Sequence, residues 1–174
     1  VGVVTVTPSN NKKQKKKNVD YRKLIAAGSC FAEGEEVIDY GFVERWILGL
    51  EEKYGVEVMQ VGYDRYNAIS TVQKLEANSM ECVEVKQHSS VLHPPTKLLR
   101  EAILKKEFAY DENRLLEINF QNARCTEDTN LNKYVNKKRS AGKVDMVVST
   151  IIAVYLMQQA MLDNSELDWG IQVI

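Results

Sequence analysis

Two aspartates stand where the residues around them call for hydrophobes. Asp64 closes the apolar run EVMQVGY in the stretch VGYDRYNA, residues 61–68, and Asp145 sits between Val144 and Met146 in KVDM, residues 143–146. An unpaired carboxylate costs several kcal/mol to bury, so each needs a partner that compensates it. A structural answer exists for either one alone. Asp64 can pair with Arg65 or cap a helix starting near Asn67, and Asp145 can sit at a helix N-terminus. Together they can also do chemistry. Two carboxylates facing one cleft offer the hard oxygen ligands that Mg²⁺ or Mn²⁺ prefers. Two such ions about 4 Å apart activate a water and stabilise the leaving oxygen of a phosphodiester.

That chemistry needs cationic groups to hold a phosphate backbone, and the charge along the chain is uneven. Net charge is −1, so the molecule as a whole is no polycation. Yet NKKQKKKN, residues 11–18, carries five lysines, and NKYVNKKRSAGK, residues 132–143, carries four lysines and an arginine. Each run is either a solvated loop or a set of phosphate contacts beside an active site. Arg65, Lys137, Lys138, Arg139 and Lys143 lie nearest the two aspartates in sequence and are the candidate DNA-contacting residues.

The elements that must position these groups are legible in outline. VGVVTVTP is β-branched and reads as a strand stopped by Pro8. After Asp20, YRKLIAAG reads as a short helix ending at Gly28. From Asp39, a cap, Phe42, Val43, Trp46, Ile47 and Leu50 make one apolar helical face that Gly55 closes. Residues 56–63 read as the strand leading to Asp64, followed by a helix with Ala68, Val72 and Leu75 inward and a strand at 81–86. This alternation predicts an α/β sheet with parallel central strands. In such sheets ligands bind beyond the carboxyl ends of the strands, where Asp64 falls. Pro94 or Pro95 is expected in the first turn of a helix carrying Leu98, Leu99, Ile103 and Leu104. FAYDENRLLEINF resembles a hairpin turning at Asp111 to Asn113, with an outgoing half that is either strand or short helix. A last helix runs from near Ser140 to about Leu162 and is apolar round much of its circumference.

Composition narrows the class. The 174 residues suffice for one domain with its own core, and 44% apolar with 27% charged residues is ordinary for a globular protein. No run of about 18 apolar residues occurs, so no membrane span is expected; nor does the chain open like a secretory leader. Cys30, Cys82 and Cys125 are odd in number and widely spaced, which argues against a disulfide framework or zinc site and for a reducing compartment. There is no G-x-x-x-x-G-K-[ST] phosphate loop, and QHSS with His88 and His93 lacks a G-x-S-x-G elbow, so the histidines are read as structural.

In this order, GEEVIDYGFVERWI, VGYDRYNA, VEVKQHSSVLHPPTKLLREAI and KKRSAGKVDMVVSTIIAVYLM resemble the C-terminal nuclease domain of phage terminase large subunits, over roughly residues 19–160. The Y-D-R-aromatic-N-A and K-hydrophobic-D blocks carry the resemblance. It implies a ribonuclease-H-like fold, a mixed central sheet flanked by helices, across a single nuclease domain, residues 1–174. It further implies a DNA endonuclease that cuts concatemeric viral DNA during packaging, using divalent metal, Mg²⁺ or Mn²⁺ as two ions, held by three acids. The second and third of those acids fall on Asp64 and Asp145. The family also implies double-stranded DNA as substrate, the small terminase subunit and the portal as partners of the full-length protein, no membrane, and the host cytoplasm as its place of action.

The first family acid lies on the first strand, in a segment like G-hydrophobic-D-hydrophobic-S, and VGVVTVTPSNN contains no acid. The chain is therefore expected to lack the first one or two strands of the fold, as well as the ATPase motor. Glu33, Glu35, Glu36 and Glu84 are further acids with no motif behind them. Two alternatives follow: a catalytically inactive ribonuclease-H-like module that grips DNA or the portal, and a small-molecule α/β domain in which both aspartates are structural.

Overall fold

Short hydrogen-bonded caps, more than long apolar runs, mark out the elements of this chain. The computed structural model describes residues 6–7, 19–34, 36–65 and 68–163. The lysine run at 11–18, Glu35, Asn67 and the tail after Asp163 therefore lie outside the described residues. The described residues form two compact units, one within Val4–Val61 and Arg65–Val83, the other within Gly62–Asp64 and from Glu84 onward.

In the first unit, strand β1 (Val6–Thr7) runs parallel to β2 (Phe31–Ala32). Helix α1 (Tyr21–Ala26) starts at Asp20, whose carboxylate accepts the Arg22 and Lys23 N–H groups. Gly28 follows it with φ +73, a conformation that costs glycine nothing. Helix α2 (Tyr40–Leu48) is capped by Asp39, which accepts the Gly41 N–H at 2.9 Å. The single helix expected up to Tyr54 is interrupted at Gly49, and α3 (Leu50–Tyr54) ends on Gly55 at φ 66. The apolar face of α2 is only half-buried; its fully buried residue is Glu44. That carboxylate is compensated from α4 (Ile69–Ala77), where Lys74 Nζ stands 2.9 Å and Thr71 Oγ1 3.1 Å from it, above the buried Val72 and Leu75.

Strands β3 (Val61–Tyr63) and β4 (Cys82–Glu84) are shorter than the sequence pattern implies. Val61 N–H donates to the Glu81 carbonyl at 2.8 Å, and Val85 N–H to the Tyr63 carbonyl at 2.9 Å. Both partners advance together along the chain, which is the parallel pattern joined by a helical crossover.

In the second unit, α5 (Ser89–Lys105) begins earlier than expected and carries Pro94 and Pro95 in its interior rather than its first turn. The His88 ring nitrogen caps it by accepting the Ser90 N–H. The donors lost at the prolines would have served carbonyls of the first turn. Of the two forms expected for the outgoing half of FAYDENRLLEINF it is the helix that forms, so the segment is not a hairpin: Asn113 Oδ1 accepts the Leu116 N–H at 3.0 Å and starts α6 (Arg114–Asn122). The rings of Phe108, Tyr110 and Phe120 stack before and along it. A hairpin the sequence did not announce, β5 (Cys125–Glu127) against β6 (Lys133–Val135), follows in antiparallel register.

Helix α7 (Asp145–Asp163) has the length and hydropathy of a membrane-crossing segment. Its buried residues, among them Val147, Ile151, Val154 and Leu156, face protein, and it packs on α5 and α6 as a core helix. Parallel and antiparallel pairs flanked by helices make this a mixed α/β fold; the described pairing consists of three two-stranded sheets. All three cysteines are free, and burial pushes the Cys30 thiol up.

Candidate active site

Asp145 is the first residue of α7, since the first intrahelical bond runs from the Val148 N–H to the Val144 carbonyl at 3.0 Å. Its side chain is 61% exposed, so the expectation of a carboxylate buried among hydrophobes does not hold for it. Val144, Met146, Val147 and Val148 are all buried, and Asp145 alone in that run turns outward. A carboxylate there is favoured by the N–H groups of the helix end. Lys137 Nζ lies 3.7 Å from Oδ1 and Lys143 Nζ 3.8 Å from Oδ2. Pairs this long and this exposed contribute little to stability, so the carboxylate keeps lone pairs available to another cation.

The loop that brings these lysines to Asp145 is held by asparagines. Asn136 Oδ1 accepts the N–H groups of Lys138 and Arg139 at 3.0 and 3.2 Å, while the Asn136 carbonyl accepts from Ser140 Oγ at 2.8 Å. Ser140 Oγ in turn accepts the Arg124 N–H at 3.1 Å, tying the turn to the start of β5. At the end of α6, the Asn122 carbonyl accepts the Ala141 N–H at 2.9 Å, and Asn122 Nδ2 donates to the Lys143 carbonyl at 3.2 Å. A β-carbon at Gly142 would fall 2.6 Å from that Nδ2, so only glycine lets the chain pass there without a shift. Buried Asn119 completes the clamp: its Oδ1 accepts the Met146 N–H at 3.2 Å and its Nδ2 donates to the Leu115 carbonyl at 2.9 Å. Sequence reasoning missed Asn119 and Asn122. Their only signal was two asparagines three positions apart in RLLEINFQN, which reads as a wet helix face.

Asp64 is half-buried at the end of β3, in the same compact unit as Asp145. Strand β3 meets α7 at Gly62, where a β-carbon would lie 2.5 Å from Ile152 Cγ2 and 3.0 Å from Leu156 Cδ1. Asp64 stands about 7 Å beyond that contact along the strand. Asp145 stands about 10 Å before Ile152 along the helix. Arg65 is exposed and belongs to the other unit. Lys138 and Arg139 are exposed on the asparagine-held turn; among the described residues the ion pairs of Asp145 are with Lys137 and Lys143. Thus Asp145, Lys137 and Lys143 are brought together, and Asp64 shares their unit.

The donor chemistry suits a hard cation: Asp145 offers an exposed carboxylate at a helix end, and a second aspartate, Asp64, lies in the same unit. Among the described residues no three acids, histidines or cysteines gather as a metal-binding group. Glu33 is half-buried, while Glu36 and Glu84 are exposed. The histidines have structural bonds; His93 Nδ1 accepts the Lys133 N–H at 2.7 Å, joining α5 to β6.

A further acid sits apart from this site. Asp128, in the β5–β6 turn, accepts from Ser89 Oγ at 2.6 Å and Asn132 Nδ2 at 3.0 Å, and from the N–H groups of Asn130 and Asn132 at 2.8 and 2.9 Å. These donors, Ser89 first, hold its carboxyl well below the usual carboxylate range. With its acceptor positions filled, it anchors the hairpin to the start of α5.

The profile of the family described as the endonuclease domain of the terminase large subunit matches residues 2–161 of this chain. The crystal structure of the HK97 bacteriophage large terminase superposes on 87% of the chain with a TM-score of 0.76 at 19% identity. The match takes in 32% of that phage protein, so the chain spans less than half its length. At such identity the likeness establishes the fold, which is ribonuclease-H-like. Among curated proteins none matches the sequence.

Proposed function

Because the chain belongs to the terminase large subunit endonuclease-domain family, we propose that it hydrolyses phosphodiester bonds of double-stranded DNA during viral genome packaging, with Asp64 and Asp145 holding divalent metal. The observation that carries the reading is the setting of Asp145. It opens the helix against which β3 packs, it is exposed, and two lysines flank it. Mg²⁺ or Mn²⁺ bound there, as two ions, would supply an activated water and offset charge building on the phosphate.

The chain's own residues have separable tasks. Asp145 presents both oxygens at a helix end that cannot move without breaking the Asn119 and Asn122 bonds. Lys137 and Lys143 neutralise it in the resting protein and are free to turn to DNA phosphates, contacts that carry no sequence information. Cutting is accordingly expected to show little sequence preference. Concatemeric DNA as substrate, the small terminase subunit and portal as partners, and action in the host cytoplasm belong to the same proposal.

A second reading has one observation in its favour. No group of three acids occurs among the described residues, which suits a module that grips DNA or the portal without cutting. Incubating supercoiled plasmid with the intact protein and Mn²⁺, with and without chelator, separates the two. Metal-dependent nicking that Asp145→Asn abolishes supports the nuclease; salt-sensitive binding with no nicking supports the gripping module.

A further inference from the structure

The metal site proposed above needs Asp145 held at one place and angle, and nothing in its own side chain does that. We infer that Asn119 and Asn122 are positioning residues for Asp145 and Lys143, acting from α6 on the start of α7; the inference rests on the metal-site reading.

Three bonds carry it, and all run from one helix end to the six residues Ala141–Met146. Asn119 Oδ1 takes the Met146 N–H at 3.2 Å, directly after Asp145. Asn122 Nδ2 gives to the Lys143 carbonyl at 3.2 Å, two residues before it. The Asn122 carbonyl takes the Ala141 N–H at 2.9 Å. Asp145 is thus bracketed on both sides by side chains of α6. The Met146 N–H is one of the four donors that a helix start leaves without an intrahelical partner. A capping side chain normally comes from the residue just before the helix; here that residue is Val144, which has none to offer. Asn119 supplies the missing acceptor from another helix. It is 3% exposed, yet both ends of its amide are bonded, so it faces neither solvent nor an unmet need.

The chemistry of the pair is specific. An apolar side chain at 119 would fill the space but leave the Met146 N–H without its acceptor, letting the first turn fray and Asp145 with it. An aspartate would keep that acceptor but lose the donor to the Leu115 carbonyl and bury a charge, so the amide is the group that fits both sides. At 122, alanine would remove the donor to the Lys143 carbonyl and so loosen the backbone two residues before Asp145. Residues that orient metal ligands from behind typically change metal affinity by about 10- to 100-fold when lost.

The test is Mn²⁺ affinity of the intact protein, titrated by electron paramagnetic resonance, with melting temperature recorded for each variant. Asn119→Leu is expected to weaken Mn²⁺ binding about tenfold or more, and Asn122→Ala to weaken it less while remaining folded. If Asn119→Leu does not fold, Asn122→Ala decides. Should Asp145→Asn lose the metal while Asn119→Leu and Asn122→Ala bind it like wild type, the positioning role is wrong and the metal site stands. Should Asp145→Asn bind as wild type does, or wild type bind nothing, the metal site falls and the positioning role with it.

Discussion

Gly62 lies so close to Ile152 that a β-carbon on it would sit 2.5 Å from Cγ2 of that side chain. This contact seats the strand bearing Asp64 on the helix bearing Asp145. A methyl group there cannot be absorbed by the far end of a flexible chain, because Ile152 is buried and Leu156 Cδ1 is 3.0 Å away. Gly62→Ala is therefore expected to destabilise the protein by about 1–3 kcal/mol, the usual cost of overpacking. Urea unfolding checks it; an unchanged midpoint would mean that strand and helix separate freely.

Lys137 and Lys143 compete with a cation for Asp145 in the absence of DNA. Replacing both with alanine should tighten Mn²⁺ binding to the DNA-free protein and weaken DNA binding. The slope of log affinity against log salt should fall by about 1 per lysine that contacts phosphate. DNA affinity measured across a salt series decides this, and an unaltered slope would remove the lysines from the DNA interface.

Asp128 makes stability depend on acid. Its folded-state pKa is depressed by Ser89 and Asn132, so its contribution is complete above the unfolded value of about 3.9 and is lost as pH falls through the folded value. Asp128→Asn should unfold at lower urea than wild type at pH 7, and the gap should narrow progressively below about pH 4. A gap that stays constant with pH would show that the carboxylate charge is not what anchors the hairpin to α5.

Glu44 and Lys74 form the polar tie between α2 and α4. The carboxylate is nearly buried while the ammonium is 59% exposed, so the pair is worth less than a fully buried one. Lys74→Met leaves Glu44 with only Thr71 and should cost about 1–2 kcal/mol. Glu44→Gln in the same background should recover part of that in thermal melts; if the double variant is no better than Lys74→Met, the buried charge is not the source of the loss.

The sequence made some of this legible because the signals were local. Asp39 and Gly55 announced a helix start and a helix end by their own backbone chemistry, and both stand where expected. Val72 and Leu75 were readable as inward by spacing, and both are buried. What failed was non-local. Alternation of apolar residues around Asp145 suggested a buried charge, whereas the first residue of a helix can point outward while both neighbours point in. The prolines at 94 and 95 suggested a helix start, but His88 had already capped one. The β5–β6 hairpin stayed hidden because its strands are three residues long and its stability comes from Asp128 reaching Ser89, thirty-nine positions away. Asn119 was invisible for the same reason: its acceptor role exists only once α6 meets α7.

If Asp64 and Asp145 share a divalent cation, anomalous scattering from a Mn²⁺-soaked crystal of the intact protein will show it. A manganese peak is expected with carboxylate oxygens of both residues at about 2.1 Å. A peak bound to one aspartate alone, or manganese found only elsewhere on the protein, would contradict it.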